Sequence, residues 1–354
     1  MNILYFLWRG GIGGGEKVVL NLVNGLKNKG FNTKICVWMK EDAPLKEVCK
    51  EQGIEYIELN GENKFKLSTF IELIKVIRGN KIDILHSHGA IAKFFGTVAT
   101  KFTKAKSIIT IHRLTADRKS HHKVLNMISI LLSSKVICVS KAVENGLNKI
   151  EKIIYKLKSK IVIYNGLDIE KIERLSNESV DIEKEEDIVY LLFVGRLDPI
   201  KGVDYLIRAM KTIVETDPKY KLLIVGDGED KKRLQDLTNE LNLNKYIDFK
   251  GHQDNVYKYM RFCDVLVNPS FTEGFPLVIL EALTNKLFII TTCVGGIHEI
   301  LCDYKYKKYI PVKSSDSITE SVLNCRFKVE YKAEINKFKI DNMIEEHIKF
   351  YNIK

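Results

Sequence analysis

Short apolar runs alternate with amphipathic segments along the whole chain. Those that predict strands are Met1–Trp8, Lys34–Trp38, Ile82–His86, Ser107–His112, Val136–Val139 and Ile161–Tyr164 in the first half, and Ile188–Val194, Lys221–Val225, Ile247–Lys250, Val265–Asn268 and Phe288–Thr291 in the second. Near-continuous apolar strands separated by helices are typical of parallel sheets covered on both faces. The pattern therefore predicts an α/β protein with two doubly wound, Rossmann-like domains. Because ligands of such sheets bind beyond the carboxyl ends of the strands, we expect the domains to face each other across a cleft.

The same pattern predicts the domain boundaries. Residues 1–172 are predicted to form the first domain and residues 188–338 the second, since 354 residues exceed the size of a single core. Between them, residues 173–187 lack an apolar face and predict a linker. Residues 339–354 predict a final helix that packs back toward the first domain. Its apolar stripe consists of Met343, Ile344, His347, Ile348 and Tyr351.

The excess of positive charge lies entirely in the first half of the chain. Residues 1–168 contain 28 Lys and Arg against 14 Asp and Glu, a net charge of +14; the whole chain carries +11, so residues 169–354 carry −3. Residues 92–160 alone contain 15 basic and 3 acidic residues. Such a density would attract an anionic membrane, an anionic acceptor or a nucleic acid, and it is also typical of a solvated lysine-rich surface.

Other compositional features exclude several classes of protein. No apolar run approaches the roughly 18 residues of a spanning helix, and the run Ile3–Trp8 is too short for a signal peptide, so we expect a cytoplasmic protein. The seven cysteines form no Cys-x-x-Cys pair and predict reduced thiols. His86, His88, His121 and His122 lack a cysteine or carboxylate that would complete a ligand set, so no metal site is predicted.

Three motifs in the second half predict a nucleotide-sugar site. The first, Phe193–Gly202, places Arg196 and Lys201 just beyond a strand, where their charge-assisted hydrogen bonds can hold a diphosphate. The second is the glycine-containing segment Val225–Glu229. The third, Glu273–Glu281, places two carboxylates eight residues apart across the start of a helix, where they can accept hydrogen bonds from sugar hydroxyls.

A glycine loop near the amino terminus, Gly10–Lys17, does not fit the common nucleotide fingerprints. A dinucleotide fingerprint from Gly11 requires glycine at Glu16, and a P-loop requires glycine there and Ser or Thr at Val18. Two interpretations stay open. The loop is either a tight turn or the start of a helix whose backbone N–H groups hold a phosphate or let an acceptor approach.

Taken in order, the motifs resemble the retaining, GT-B-fold glycosyltransferases of family GT4, the glycosyl transferases group 1, over nearly the whole chain. The residues that carry the resemblance are Gly13–Glu16, Thr110–His112, Val139–Lys141, Asn165–Asp168, Gly195–Arg196, Lys201–Gly202, Gly226–Gly228, Gly251, Glu273–Glu281 and Gly295–Gly296.

The resemblance implies a role for each of a defined set of residues. His112, Glu273, Arg196 and Lys201 would be catalytic, with the two cations stabilising the charge that develops on the leaving nucleotide. The donor nucleotide would contact Gly14, Arg196, Lys201, Gly226, Gly251, Gly274, Phe275, Leu277 and Glu281. The acceptor side would include Gly13, Gly14, His86 and His88, although His86 and His88 are equally compatible with a structural role.

The resemblance also implies a reaction. A hexose or N-acetylhexosamine would pass from a UDP-sugar to a lipid-linked or cell-surface polysaccharide acceptor, as in capsule or lipopolysaccharide biosynthesis, at the inner face of the membrane. The resemblance implies transfer with retention, and the absence of an assignable glycosidase-like carboxylate pair agrees with it. Because no Asp-x-Asp motif is evident, we expect metal-independent transfer without a cofactor. A soluble small-molecule or protein acceptor is the alternative. A nucleic-acid-binding protein is a distant one, because recognition motifs are absent, and the failed fingerprint makes an NAD-dependent oxidoreductase weaker still.

Overall fold

The computed structural model describes residues 1–40, 43–62, 65–115, 120–327, 329 and 335–352. The chain forms two compact units, Met1–Gly166 with Ile340–Lys354, and Leu167–Lys339. Part of the predicted second domain (328 and 330–334) and of the predicted final helix (353–354) lies outside the described residues.

The first unit is built on a parallel sheet. Its strands are β1 (Asn2–Leu7), β2 (Asn32–Met39), β3 (Glu55–Gly61), β4 (Ile84–His88), β5 (Lys106–Ile111), β6 (Lys135–Cys138) and β7 (Ser159–Val162). Their order is β3-β2-β1-β4-β5-β6-β7, and each neighbouring pair is parallel. The chain order reverses between β1 and β4, which is where such sheets bind ligands.

The second unit repeats this plan. Its strands are β8 (Val189–Val194), β9 (Tyr220–Val225), β10 (Ile247–Gly251), β11 (Val265–Asn268), β12 (Phe288–Thr292) and β13 (Lys307–Ile310). They are parallel in the order β10-β9-β8-β11-β12-β13, so the reversal falls between β8 and β11. The prediction of two doubly wound sheets is confirmed.

Helices connect the strands in both units. They are α1 (Gly14–Asn28), α2 (Pro44–Glu51), α3 (Leu67–Gly79), α4 (Ala90–Thr100), α5 (Ser120–Leu132), α6 (Lys141–Asn145), α7 (Lys149–Lys156), α8 (Ile169–Ser176), α9 (Val203–Thr216), α10 (Lys231–Glu240), α11 (Tyr257–Phe262), α12 (Leu277–Thr284), α13 (Ile297–Leu301), α14 (Ser315–Asn324) and α15 (Ile340–Tyr351). Short 3-10 turns span Pro199–Lys201 and Asn336–Phe338. Among the described helices, none combines the length and the apolar composition needed to cross a lipid bilayer.

The final helix, α15, belongs to the first unit. Ile344 fills the space beside Gly25 of α1, where an added Cβ would lie 1.9 Å from the Ile344 Cδ1 atom. The hydroxyls of Tyr351 and Tyr5 are 3.1 Å apart and buried. The predicted packing of this helix on the first domain is confirmed.

The connection between the units differs from the predicted linker. The units meet in sequence at Gly166 and Leu167, before the predicted boundary at residue 172, and α8 extends into the segment 173–187. This polar helix still has a buried side, because Ile172 and Ser176 are enclosed and the Ser176 hydroxyl donates to Asn285 Oδ1 at 2.7 Å.

Candidate functional site

Four loops meet at the carboxyl ends of the central strands in the second unit. We call them loop A (195–202), loop B (226–230), loop C (269–276) and loop D (293–296). Backbone hydrogen bonds join A to B, A to C and C to D: Leu197 N–H to the Asp227 carbonyl at 2.9 Å, Phe271 N–H to the Ile200 carbonyl at 2.8 Å, and Gly296 N–H to the Gly274 carbonyl at 2.9 Å. The predicted motifs thus lie in one hydrogen-bonded cluster beside the reversal point of the sheet.

Glycines allow these loops to approach so closely. Gly226 has a φ of +144°, and a Cβ there would lie 1.9 Å from the Gly195 carbonyl oxygen. Gly295 has a φ of +57°, and its Cβ would lie 1.9 Å from the Glu273 carbonyl oxygen. Gly251 accepts a hydrogen bond from Gly226 N–H at 2.8 Å. The structure thus gives Gly226 and Gly251 a role in loop packing.

The predicted cations and one carboxylate form ion pairs in this cluster. Lys201 Nζ lies 2.7 Å from Glu273 Oε1, and their side chains are 21% and 10% exposed. Arg196 pairs with Asp198, and its side chain is 60% exposed. Guanidinium, ammonium and carboxylate groups therefore alternate around loops A and C, where a diphosphate and a sugar would meet opposite charges.

Glu281 is enclosed within α12. Glu281 is only 4% exposed, and its Oε1 atom accepts a hydrogen bond from the Tyr257 hydroxyl at 3.4 Å. Burial, followed by the charge and hydrogen bond of Glu281, raises the pKa of Tyr257. A buried carboxylate requires such donors, and a hydroxylated ligand can supply more. Tyr257 was missed by sequence reasoning, because it precedes Glu281 on another helix and carries no motif.

Phe275 and Leu277 anchor loop C to the unit. They are 5% and 8% exposed, and the ring centroid of Phe275 lies 5.6 Å from that of Phe338. Gly274 contributes its carbonyl to loop D, as described above. The sequence assigned these three residues to the nucleotide; the structure shows them packing the loop that carries Glu273.

A buried polar network beneath loop C was also missed by the sequence analysis. Its members are 2% exposed or less: Asn268, Ser270, Thr291 and Thr292. Ser270 Oγ donates to Asn268 Oδ1 at 2.9 Å, and Thr292 Oγ1 donates to the Ser270 carbonyl at 2.6 Å. Because satisfied buried networks rigidify their surroundings, these residues hold the base of loop C in place. Only their positions at the ends of two apolar strands could have signalled this role.

The predicted histidines of the first unit meet on neighbouring strands. His88 ends β4 and His112 follows β5, and His88 Nδ1 lies 2.8 Å from His112 Nε2. His86, two residues earlier on β4, is 0% exposed. Its ring nitrogens contact the Tyr351 hydroxyl at 2.6 Å and Thr110 Oγ1 at 2.7 Å. Burial and the engagement of both ring nitrogens favour the structural role for His86.

Burial favours the uncharged forms of His86 and His88. It lowers the pKa of His86 and His88 well below the usual value, and the neighbouring histidines lower both further. His88 Nε2 is buried and has no hydrogen-bond partner among the described residues. An unpaired buried N–H is costly, so the proton of neutral His88 belongs on Nδ1, donating to His112 Nε2.

The amino-terminal glycine loop is loosely surrounded, whereas the glycines of loops B and D are closely packed. Gly13 N–H donates to Glu16 Oε2 at 3.1 Å, closing the first turn of α1. A Cβ added at Gly14 or Gly15 would meet no atom of the described residues within 4 Å. Protein packing therefore does not require glycine here, and the loop leaves room for a ligand beside the start of the helix.

No group of three or more His, Cys, Asp or Glu side chains in the described part of the chain is arranged to hold a metal ion. The residues brought together are instead suited to binding anions and hydroxyls.

Known proteins share this sequence and architecture. The family model Glycosyltransferase Family 4 matches residues 12–171, and Glycosyl transferases group 1 matches residues 173–325. An uncharacterized glycosyltransferase of Methanocaldococcus jannaschii is 32% identical over 318 residues, covering 86% of this chain and 81% of that protein. The Escherichia coli UDP-Gal:alpha-D-GlcNAc-diphosphoundecaprenol alpha-1,3-galactosyltransferase is 29% identical over 244 residues, covering 65% of this chain and 62% of that one, which is less than two thirds of its length.

A solved structure shows the same fold over the full length. HepE from Anabaena, crystallised with UDP-glucose, superposes with a TM-score of 0.81 at 17% identity, covering 99% of each chain. With two consecutive family models, a relative of more than 30% identity along most of its length and this architecture, the chain belongs to the GT4-type glycosyltransferases of the GT-B fold.

Proposed function

We propose that this glycosyltransferase moves a hexose or N-acetylhexosamine from a UDP-sugar to a lipid-linked or polysaccharide acceptor, with retention of anomeric configuration and without a metal ion. The observation that carries the proposal is the Lys201–Glu273 ion pair in the loop cluster that also holds Arg196. The name of the E. coli relative supports a UDP-sugar donor and a diphosphoundecaprenol-linked acceptor.

In this proposal the donor diphosphate replaces carboxylates as the partner of the two cations. Arg196 leaves Asp198 and Lys201 leaves Glu273 when the diphosphate binds, since a dianionic partner offers more charge-assisted hydrogen bonds. Glu273 is then released to accept from hydroxyls of the donor sugar. Glu281, held in place by Tyr257, accepts from the ribose hydroxyls.

Bond cleavage follows from the same charges. Arg196 and Lys201 stabilise the negative charge that grows on the leaving UDP as the anomeric C–O bond breaks. The departing phosphate oxygen accepts the proton of the attacking hydroxyl, so both steps occur on one face of the sugar. His112, oriented by His88, contacts the donor sugar beside the reacting carbon.

The acceptor is proposed to bind the first unit. The open positions at Gly14 and Gly15 support this, because the described residues around them leave space for a ligand. The basic excess of residues 1–168 supports an anionic, membrane-linked acceptor and a peripheral position on the inner face of the membrane.

The first test is a nucleotide screen with charge variants. We expect UDP to stabilise the protein more than ADP or GDP, by roughly 2.7 kcal/mol at 100 times its Kd. Lys201→Gln and Arg196→Gln should weaken UDP binding about tenfold or more, since each removes a charge-assisted hydrogen bond. Glu273→Gln should bind UDP at least as tightly as the wild type, because Lys201 loses a competing partner, yet lose about 100-fold in kcat.

Isothermal titration calorimetry and initial rates separate these effects. Arg208→Gln, an exposed arginine on α9, is the matched control and should behave as the wild type. If Glu273→Gln loses UDP affinity as strongly as Lys201→Gln, the proposed division of roles is wrong.

The second test concerns stereochemistry and metal. NMR spectra of the first product should show the donor's anomeric configuration, and excess EDTA should leave the rate unchanged. An inverted product, or activity that EDTA abolishes and Mg²⁺ restores, would refute these parts of the proposal.

A further inference from the structure

Helix α7 exposes one row of apolar residues to solvent and buries Tyr155 together with its carboxylate. Ile150, Ile153 and Leu157, the last just beyond the helix, are 58%, 64% and 81% exposed, whereas Glu151 is 0% exposed. Their spacing of three and seven residues puts the apolar side chains on one side of the helix. Soluble helices normally bury this stripe.

A polar network fixes this orientation. Glu151 N–H donates to Asn148 Oδ1 at 2.9 Å, and Asn148 N–H donates to Glu151 Oε2 at 3.1 Å, forming a capping box. The Glu151 carboxylate also accepts from Asn126 Nδ2 at 2.7 Å and from Thr115 Oγ1 at 2.5 Å. Because these bonds hold Glu151 inside, the helix cannot rotate to bury its isoleucines.

The neighbouring helix α5 extends the exposed apolar stripe. Asn126 contacts Glu151 near one end of the pair, and Lys158 Nζ donates to the Leu131 carbonyl at 2.5 Å near the other, so α5 and α7 lie side by side. Val124 and Leu131 of α5 are each 52% exposed and seven residues apart, on one side of α5. We call the five side chains Val124, Leu131, Ile150, Ile153 and Leu157 the α5–α7 surface.

The exposed charges on α7 and on the residues that follow it are all positive. Residues 145–160 contain five lysines, at positions 149, 152, 156, 158 and 160, and one acidic residue, the buried Glu151. Lys149, Lys152 and Lys156 are exposed and interleave with the apolar residues of α7. Exposed apolar residues can insert at the boundary between lipid head groups and acyl chains, and lysines beside them attract anionic head groups, so this surface suits an anionic bilayer.

We infer that the α5–α7 surface is the site at which this enzyme binds an anionic lipid bilayer, with its isoleucines and leucines inserted among the acyl chains and its lysines at the phosphate groups. The inference rests on the proposed membrane-linked acceptor, and it assigns that contact to named residues. A nucleic acid would pair with the lysines and leave the apolar stripe uncovered, so the bilayer fits both features.

Co-sedimentation with vesicles tests the inference. The full chain should bind vesicles of phosphatidylcholine with 30 mol% phosphatidylglycerol, and bind pure phosphatidylcholine far more weakly. Ile153→Gln/Leu157→Gln should lower the partition coefficient by about tenfold or more. Leu67→Gln/Ile71→Gln is the matched control: these apolar residues of α3 are also exposed, at 63% and 45%, and the variant should bind as the wild type does.

A charge variant provides the second arm. Lys152→Gln/Lys156→Gln should weaken binding to the anionic vesicles and reduce its salt dependence. Lys232→Gln/Lys245→Gln, which removes two exposed lysines of the second unit, should not. All four variants change exposed residues, so each should keep the UDP-induced thermal shift of the wild type. That readout separates a failure of this inference from a failure of the proposed donor site.

Three results would overturn the inference. In the first, Ile153→Gln/Leu157→Gln binds anionic vesicles as tightly as the wild type. In the second, the α3 control loses as much binding. In the third, the chain forms a lipid-independent dimer that only the α7 variant dissociates, which would assign the surface to a second copy.

Discussion

Two histidines of β4 that look alike in sequence have different partners in the structure. His86 and His88 stand two positions apart on β4, and both resemble site residues in sequence. The structure separates them: His86 is held between Tyr351 and Thr110, while His88 contacts His112. Their different partners come from β5 and α15, which no local pattern around residues 86–88 reveals.

His88 is therefore expected to be a positioning residue. His88→Leu removes the donor to His112 Nε2, so kcat should fall about 10- to 100-fold with little change in the donor KM, because orientation rather than affinity is lost. His88→Asn, whose amide can donate from a similar position, should recover part of the rate. Initial-rate kinetics of both variants test this; equal losses in both would indicate that His88 only fills space.

At the scale of elements, the apolar pattern predicted the strands that are covered on both faces. Two of the four edge strands, β3 and β13, were missed. In β3 only Leu59 and Gly61 are buried, and in β13 only Ile310, so polar and charged residues interrupt the apolar run in both. The buried glutamate of α7 was equally unpredictable, because its partner Asn126 comes from another helix.

The sequence predicted the motif residues of the candidate site but not the polar residues that support them. The motifs placed Arg196, Lys201, Glu273 and Glu281 in one region because they follow strands on either side of the reversal point. Tyr257 and the network of Asn268, Ser270, Thr291 and Thr292 were not predicted, since common polar residues acquire such roles only through tertiary contacts. Whether the predicted residues touch donor or acceptor stays a prediction that the experiments above address.

Two glycines of the predicted motifs should respond oppositely to the same substitution. Gly295→Ala forces a Cβ toward the Glu273 carbonyl at a positive φ, so loops C and D must separate. We expect lost UDP binding and destabilisation by about 1–3 kcal/mol. Gly14→Ala has open space and a helical position, so stability should stay equal or rise by about 0.5–1 kcal/mol.

Thermal denaturation and acceptor kinetics check this pair. A raised acceptor KM in Gly14→Ala, with unchanged UDP affinity, would support an acceptor at the glycine loop. Destabilisation of both variants to a similar degree would contradict the contrast between packed and open glycines.

At the scale of the whole molecule, the first unit has its own fluorescent reporter. Both tryptophans of the chain, Trp8 and Trp38, lie in it, with ring centroids 5.0 Å apart. Unfolding of this unit can therefore be followed separately from that of the second, which matters because a chain of two units need not unfold in one step.

This reporter should reveal a pH dependence from buried histidines. Burial lowers the pKa of His347 from 6.5 to about 4. Its neutral form stabilises the fold above pH 6.5, and this contribution is lost as the pH falls toward 4, because only the unfolded chain takes up the proton. From pH 7 to pH 5, the protonation of His347 in the unfolded chain alone should lower the free energy of unfolding by about 2 kcal/mol. The lowered pKa values of His86 and His88 should reduce it further.

Urea titrations followed by tryptophan fluorescence at pH 7 and pH 5 measure this loss. From pH 7 to pH 5, the free energy of unfolding of His347→Leu should fall by about 2 kcal/mol less than that of the wild type, whatever the stability of the variant at pH 7. The neighbouring Glu346, whose pKa is raised by burial, acts in the opposite direction in both proteins and cancels in the difference. Equal losses in both proteins would show that His347 does not contribute.

The first unit is completed by α15, whose residues come after the whole of the second unit in the chain. During synthesis, Leu167–Lys339 can therefore reach its fold while the earlier-made strands still lack Ile344 beside Gly25 and Tyr351 beside Tyr5 and His86. The half of the protein that is translated first is the half that finishes last. A nascent chain paused before Ile340 would carry an assembled second unit and an unfinished first unit, and the unfinished unit is the one that carries the α5–α7 surface.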